Sequence, residues 1–502
     1  MSSPVSLPYQ ELLDEIGLVV PPGVQAYLVG GAVRDAILGR PTNDLDFAIS
    51  QDAIGLGRRV ADKLEGAFYP LDSERDTARV ILFQADGSRQ ILDFAGLRGA
   101  DIHSDLLGRD FTLNAMALDL HHPPKLMDPL GGANDMRSGL IRACSDQVFV
   151  DDPLRILRGV RLASVFDLRI VPETIQMMLP AVDLLPGVSV ERVRDELVRI
   201  LDGPRQAKSL RVLDALGVLP DILPEVVNLK GVEQSPPHIS AVWSHTLDVI
   251  SKLERVLNVL SLHHDPETAA NWALGFISVQ LGRYREQIYD HLNVSITTGR
   301  SQRSLLFLAA LYHDAGKPET RVMDDDGRIR FFKHEVVGSK LAASRGHSLR
   351  LSNEEVKYLE KIVRNHMRPL SLTKVGNPPS RRSIYRFFRD TGQAGVDVCL
   401  LSLADTLATY GPTLPNELWA EQLSVVRSLL ESWFERQEEA IAPPPIINGR
   451  DLMDHLGLPP GPQIGELLRA IREAQATGQV TDRSIALDFA KSWLETKGDS
   501  YG

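Results

Sequence analysis

Two carboxylates one residue apart are the first groups in this chain whose spacing suggests chemistry. Asn43-Asp44-Leu45-Asp46-Phe47-Ala48-Ile49 reads as a strand. The two-residue period puts Asp44 and Asp46 on one face and turns Leu45 and Phe47 to a core. Parallel carboxylates repel unless a cation lies between them. Hard oxygen ligands suit Mg²⁺, which keeps several waters and fills its shell with substrate phosphates. Upstream, Tyr27-Leu28-Val29-Gly30-Gly31-Ala32-Val33-Arg34 reads as an apolar strand, a double-glycine turn and a helix. Glycines there let backbone N–H groups approach an anion, which the helix start also favours. Arg34 falls in the first helical turn, within reach of the same anion. Glycines also simply close strand–helix turns, and aspartates sit solvated in turns. An anion-binding turn followed by an acidic pair favours the chemical reading. Asp93, in the strand-like QILDFA, is either a third carboxylate or a strand-end aspartate.

A second set is built from histidines. The chain has 13, and several fall in order: His245 in Trp-Ser-His-Thr, His313-Asp314 in Tyr-His-Asp-Ala-Gly-Lys, His334, His366, then Asp405. A single buried histidine is ordinarily a satisfied core residue. Adjacent His-Asp on an apolar helix is different, because each buried polar group needs a partner. A divalent cation of unspecified identity would satisfy His245, His313, Asp314 and Asp405 together. His334 and His366 are then placed for a second metal or a phosphate.

The elements that must position these groups divide the chain into four. A length of 502 residues exceeds one compact domain. Residues 20–145 mix short β-rich runs with helices, an α+β pattern. Residues 146–235 read as helices broken by Pro and Gly, residues 236–415 are helical and hold most of the histidines, and residues 416–502 form a helical tail beyond the Pro443-Pro444-Pro445 run. Only Cys144 and Cys399 occur, so neither a disulfide framework nor a CxxC metal site is available. The start lacks a signal-peptide pattern and no apolar run reaches membrane-span length, so a cytoplasmic protein with no membrane partner is expected. A net charge of −11 disfavours non-specific coating of nucleic acid. It leaves room for a local basic groove, such as Arg155, Arg158 and Arg161 could build.

Four ordered motifs then carry a resemblance. They are LVGGAVRDAILGRPTNDLDFAI, DLLGRDFTLNAMALDL, LMDPLGGANDMRSGLIRA and DDPLRILRGVRLA. Together they resemble the class II tRNA nucleotidyltransferase and poly(A) polymerase family, within the polymerase-beta superfamily. The resemblance implies a polymerase-beta-like α+β nucleotidyltransferase head followed by all-α neck, HD and tail domains. It also implies that Gly30, Gly31, Arg34, Arg109, Asp110 and Asn114 meet the incoming nucleotide and that Asp44 and Asp46 hold the metals. Two departures are visible. The family's Arg-Arg-Asp is Gly108-Arg109-Asp110 here, and its Glu-Asp-x-x-Arg is Asp151-Asp152-Pro153-Leu154-Arg155.

Arg155, Arg158 and Arg161 recur every third residue, one slowly turning face of a helix with Asp152 just before it. Cytosine and adenine each offer an amino donor beside a ring-nitrogen acceptor. Asp152 can accept from the first while Arg155 donates to the second. Uracil and guanine reverse the pattern and leave buried charges unpaired, a mismatch that costs more than a lost methyl contact. Asp152-Pro153 is equally an N-cap followed by proline at the first helical position. The resemblance assigns base selection to these residues. The histidine set, with HDAGKP at its centre, resembles the HD superfamily of metal-dependent phosphohydrolases, which implies action on phosphoesters at RNA ends. In the tail, N–H groups at Gly461 to Gly465 could meet an RNA phosphate, or the segment simply packs as a helical hairpin. The expected activity is addition of C, C and A from CTP and ATP to the tRNA 3′ end. The alternatives are C-only or A-only addition, poly(A) synthesis, or an HD phosphohydrolase with an RNA-binding N-terminal module. Oligomeric state is left open.

Overall fold

The computed structural model describes residues 9–84, 86–121, 125–263, 267, 270–373 and 378–498. Two compact units emerge: residues up to Glu196 with Val212–Val218, and Leu197–Arg211 with the chain from Leu219 onward.

The first unit is built on a seven-stranded sheet. Its strands are β1 (Ala26–Val29), β2 (Asp44–Ile49), β3 (Ala67–Asp72), β4 (Thr77–Phe83), β5 (Arg89–Gly96), β6 (Ala117–Asp119) and β7 (Lys125–Met127). Their spatial order is β3-β4-β5-β2-β1-β6-β7. All neighbours are antiparallel except β2 and β5, which run parallel with Asp46 opposite Asp93. The alternation expected for β2 is present: Leu45 and Phe47 are buried, and Asp44 and Asp46 face outward. Phe47 stacks on Phe94 of β5 with ring centroids 4.9 Å apart, so the apolar face of these two strands forms one core. The helix Ala53–Leu64 covers that core with Leu56, Val60 and Ala61. A short helix, Gly31–Ile37, follows β1 directly. Beyond the sheet, the helices Arg155–Val165, Pro172–Ala181 and Val190–Asp202 read as the sequence pattern predicts.

The second unit is helical. Val242–Val259, Gln302–Tyr312, His334–Ser348, Asn353–Asn365 and Ala394–Tyr410 carry or adjoin the histidine set. Every residue from Ser304 to Tyr312 is buried, which makes this short apolar run a core helix. No helix among the described residues is long and apolar enough to cross a membrane. At the end of the chain, Gly449–Leu456, Pro462–Ala476 and Arg483–Gly498 close on a small apolar core that includes Leu452, Leu467, Ile471 and Ala486. Asn448 caps the first of these helices with a capping box to Asp451.

Candidate functional site

In the first unit a pocket of 390 Å³ opens at the end of β1. Gly30, Gly31, Asp46, Arg109, Asp110, Asn114, Asp152, Arg155 and Arg158 all line it. Gly30 sits at φ 73°, a backbone state that favours glycine, and a Cβ there would stand 3.0 Å from the Arg109 guanidinium and 3.7 Å from Asp46 Oδ2. The missing side chain leaves this wall open to the arginine and the carboxylate together. Arg109 is fixed by Asp105, which accepts from its Nε at 3.0 Å and its Nη2 at 2.8 Å. Asp46 faces into the cleft. Burial pushes its pKa up, Asp93 adds to the rise, Arg109 opposes it, and Asp44 raises it further. Crowded carboxylates of this kind fit a cation between them. Asp93 lines the same pocket and is held by Arg79 with two hydrogen bonds of 2.8 Å.

Three expected groups lie outside the pocket lining. Arg34 is not itself in the lining: its Nε and Nη2 donate to Asp35, its Nη1 donates to the pocket-lining Asn114 Oδ1 at 2.6 Å, and the guanidinium lies 4.3 Å over the Phe166 ring. It stands beside the glycine turn, where a Cβ on Gly31 would be 3.3 Å from its Nη2. Asp44 shares the Asp46 face of β2, two residues along toward the strand's start. Arg161 is tied to Glu196 at 2.7 Å. Asp152 and Arg155 both line the pocket, yet they are not paired with each other. Asp152 Oδ2 meets Arg192 at 2.7 Å, while Arg155 donates to the carbonyls of Val148 and Gly108 at 3.2 Å each. The helix starts at Arg155 and its N-cap position is Leu154, so Asp152 is no N-cap; besides Arg192 it accepts from Leu154 N at 3.3 Å. Arg158 meets Asp110 at 2.7 Å.

In the second unit the six histidine-set residues converge. His313 Nδ1 lies 2.7 Å from Ala310 O, His334 Nδ1 2.9 Å from Phe331 O, and His366 Nδ1 2.7 Å from Val363 O. Each Nδ1–H is thus engaged by a carbonyl three residues back, which leaves each Nε2 lone pair facing inward. That is the outer-shell arrangement of metal-binding histidines. His334 Nε2 and His366 Nε2 approach to 3.4 Å, and His245 Nε2 lies 3.0 Å from Asp405 Oδ1. Asp314 is central, with Oδ2 3.2 Å from His313 Nε2 and Oδ1 3.3 Å from His334 Nε2. Two metal-competent groups result, His245-His313-Asp314 and Asp314-His334-His366, sharing the aspartate. The Nε2 atom of His313 has no hydrogen-bond partner among the described residues, as expected of an atom shaped for a cation. Burial, with His313 and His334 beside it, drives the His366 imidazole down to about 3. Burial alone would raise Asp314, but His313 and Lys317 more than offset it and hold the carboxyl well below its ordinary range.

Family models match along the chain. The model described as the poly A polymerase head domain matches residues 26–142, that described as the probable RNA and SrmB-binding site of polymerase A 167–229, the HD domain 242–410, and tRNA nucleotidyltransferase domain 2 442–490. An A-adding tRNA nucleotidyltransferase of Deinococcus radiodurans is 33% identical over 95% of this chain and 96% of its own. The chain belongs to the tRNA nucleotidyltransferase family. A CC-adding member from Geobacter sulfurreducens is 32% identical over 94% of this chain and 93% of its own. Among solved structures, a CCA-adding enzyme complexed with CTP is 22% identical with a TM-score of 0.62, covering 97% of this chain and 94% of that one. The Thermotoga maritima CCA-adding enzyme complexed with tRNA has the same identity and coverage and a TM-score of 0.58. These last two share the fold. The nucleotidyltransferase head is thus joined in one chain to an HD domain, and each carries acidic or histidine groups able to hold a divalent metal.

Sequence reading missed Asp105, Arg192 and His238. Asp105 is four residues before Arg109 on a helical turn, a spacing that could have revealed the pair. Arg192 comes from a helix distant in sequence, and no local signal marks it. His238 stands edge-on to His245 with ring centroids 5.0 Å apart. Burial, Lys317 and His245 bring its pKa down to about 4.

Proposed function

We propose that this nucleotidyltransferase adds C, C and A from CTP and ATP to the 3′ end of tRNA without a nucleic-acid template. The observation that carries the reading is the Asp46 face of β2 set beside the open Gly30 turn and the Arg109 guanidinium in one pocket. The Gly30–Gly31 backbone and Arg109 bind the triphosphate. Asp44 and Asp46 would hold Mg²⁺, which would supply Lewis-acid neutralisation of charge at the transferring phosphorus. The terminal 3′-hydroxyl forms a bond to the α-phosphorus, and the bond to the β-phosphate oxygen breaks to release pyrophosphate. Asp152 and Arg155 read the base edge, and Arg192 holds the Asp152 carboxylate in place. Arg158 pairs with Asp110 beside Asn114, and Arg34 donates to Asn114.

In the HD domain, His245, His313, Asp314 and Asp405, with His334 and His366, hold divalent metal and hydrolyse phosphoesters at RNA ends. Water adds to phosphorus and the ribose oxygen leaves. The domain limits of 20–145, 146–235, 236–415 and 416–502 belong to the same proposal.

A second reading, addition of CC alone or A alone, is favoured by the names of the relatives that span nearly the whole chain. One experiment separates these readings. The protein is incubated with labelled CTP, ATP or both on tRNA ending at the discriminator base, at C, or at CC. Full CCA addition gives a three-step ladder with both nucleotides. A two-step ladder with CTP alone and no A marks a CC-adder, and extension only of the CC end marks an A-adder. Unlimited A addition marks a poly(A) polymerase. Asp46→Ala should reduce every rung by at least about a thousandfold, as loss of a metal carboxylate requires. Persistence of transfer in that variant defeats the assignment of the head.

A further inference from the structure

Beside the histidine–aspartate cluster lies a smaller pocket of 210 Å³. One wall is the turn from Gln234 to His238, and the other is Arg328 with the strand Ile329–Phe331. The Ile329 N–H donates to Ser235 Oγ at 2.8 Å and ties the walls together. Three contacts join this pocket to the metal-competent cluster. The His238 ring is edge-on to that of His245 at 5.0 Å. Gln234 Oε1 accepts from Lys317 Nζ at 2.8 Å, and the same ammonium lies 2.7 Å from Asp314 Oδ2. Lys317 also stands 5.3 Å from the centroid of the Phe331 ring. A group held in the pocket is therefore next to the cluster, separated from it by one layer of side chains.

The pocket wall is cationic and has an aromatic neighbour. Arg330 is ion-paired with Asp324, whereas Arg328 is exposed and has no ion-pair partner among the described residues. Asp325 and Asp326 are also exposed at the hairpin turn, so the attraction for an anion is local to the guanidiniums. Phe332, 62% exposed, follows directly and precedes Lys333 and His334. An exposed ring on the same stretch of chain as a free guanidinium can stack an RNA base while the cation holds its phosphate. A volume of 210 Å³ is below the roughly 300–1,000 Å³ of drug-sized ligand sites and suits one phosphate with its sugar.

We propose that this pocket binds the phosphate one nucleotide upstream of the scissile phosphoester, so that the HD site acts on the 3′ end of an RNA strand in preference to a free nucleotide. The proposal rests on the hydrolase reading of the HD cluster. It explains why a basic strand and an exposed phenylalanine immediately precede the metal-ligand candidate His334.

The test uses the full chain supplied with Mn²⁺ or Ni²⁺. Substrates are cytidine and the dinucleotide cytidylyl-cytidine, each carrying a 3′-monophosphate or a 2′,3′-cyclic phosphate. The dinucleotide should be preferred in kcat/KM. Arg328→Ala should raise its KM about tenfold, the scale of one lost charge-assisted contact, and leave the mononucleotide within twofold. Arg328→Lys should recover part of the loss, and added salt should narrow the preference between the two lengths. Equal loss on both substrates, or no loss on either, overturns the subsite while leaving the hydrolase reading intact. If neither substrate is hydrolysed by the unaltered protein with either metal, the hydrolase reading falls and takes the subsite with it.

Discussion

At the scale of single residues, the head is a set of charges whose partners decide their roles. Asp93 stands opposite Asp46 in register but is held by two hydrogen bonds from Arg79. We propose that Asp93, so held, tunes Asp46 instead of binding the metal itself. Its negative charge is one cause of the raised Asp46 pKa, so removing that charge lowers the pKa. Metal binding needs the ionised carboxylate, and protons compete for it. Asp93→Asn should therefore move the acidic limb of the pH–rate profile for CTP incorporation to lower pH and leave the plateau rate within about tenfold. A plateau loss as large as that of Asp46→Ala would instead make Asp93 a metal ligand. The pH profile of both variants at saturating Mg²⁺ distinguishes the outcomes.

At the scale of elements, close backbone approach positions the HD ligands. Gly316 follows His313-Asp314, and a Cβ on it would meet His334 O at 2.2 Å and Gly338 N at 2.6 Å. Both contacts are with backbone of the helix His334–Ser348, so a side chain could be accommodated only by moving that helix and His334 with it. Gly316→Ala should lower Tm by several degrees, as overpacking by about 1–3 kcal/mol does. It should also weaken metal binding at the His334–His366 side by at least about tenfold, as titration calorimetry would report. Unchanged metal affinity would mean that the helix yields without displacing His334. The same elements show what sequence can reveal. The face of β2 was legible because a strand's period is short and Leu45 and Phe47 alternate with the aspartates. The order of the histidine motifs was legible because each lies on or beside a helix with a strong apolar pattern. The arginine partners were not. A three-residue spacing puts Arg155, Arg158 and Arg161 on one face, but Asp110, Glu196 and two carbonyls that claim them are distant in sequence or invisible as side chains. For Arg34 the helical turn was legible, but its partners, the adjacent Asp35 and the distant Asn114, were not.

At the scale of the whole molecule, the two sets of metal-binding groups belong to separate compact units. Each should therefore lose its metal, and its stability, on its own terms. In the second unit, the metal-free fold keeps His366 neutral down to about 3. The unfolded chain's histidine titrates near about 6.5. Between those values the unfolded state binds the extra proton, so stability rises with pH across this window and falls as the solution is acidified through it. A divalent metal bound by the histidines adds stabilisation of about 2.7 kcal/mol at a concentration a hundred times its Kd. For a unit of this size that corresponds to roughly 4 °C in Tm. Protons displace the metal in the same pH range, so the two effects reinforce each other. Protein stripped by a chelator should therefore show a calorimetric transition for the histidine-bearing unit that falls by about that amount at pH 7.5. Acidification to pH 5.5 should lower it further. Returning Mn²⁺ should restore the pH 7.5 value, while Asp314→Ala protein should show no metal-dependent shift and retain CTP incorporation within about twofold. If Asp314→Ala abolished incorporation as well, the two units would share a functional dependence that separate metal sets do not provide.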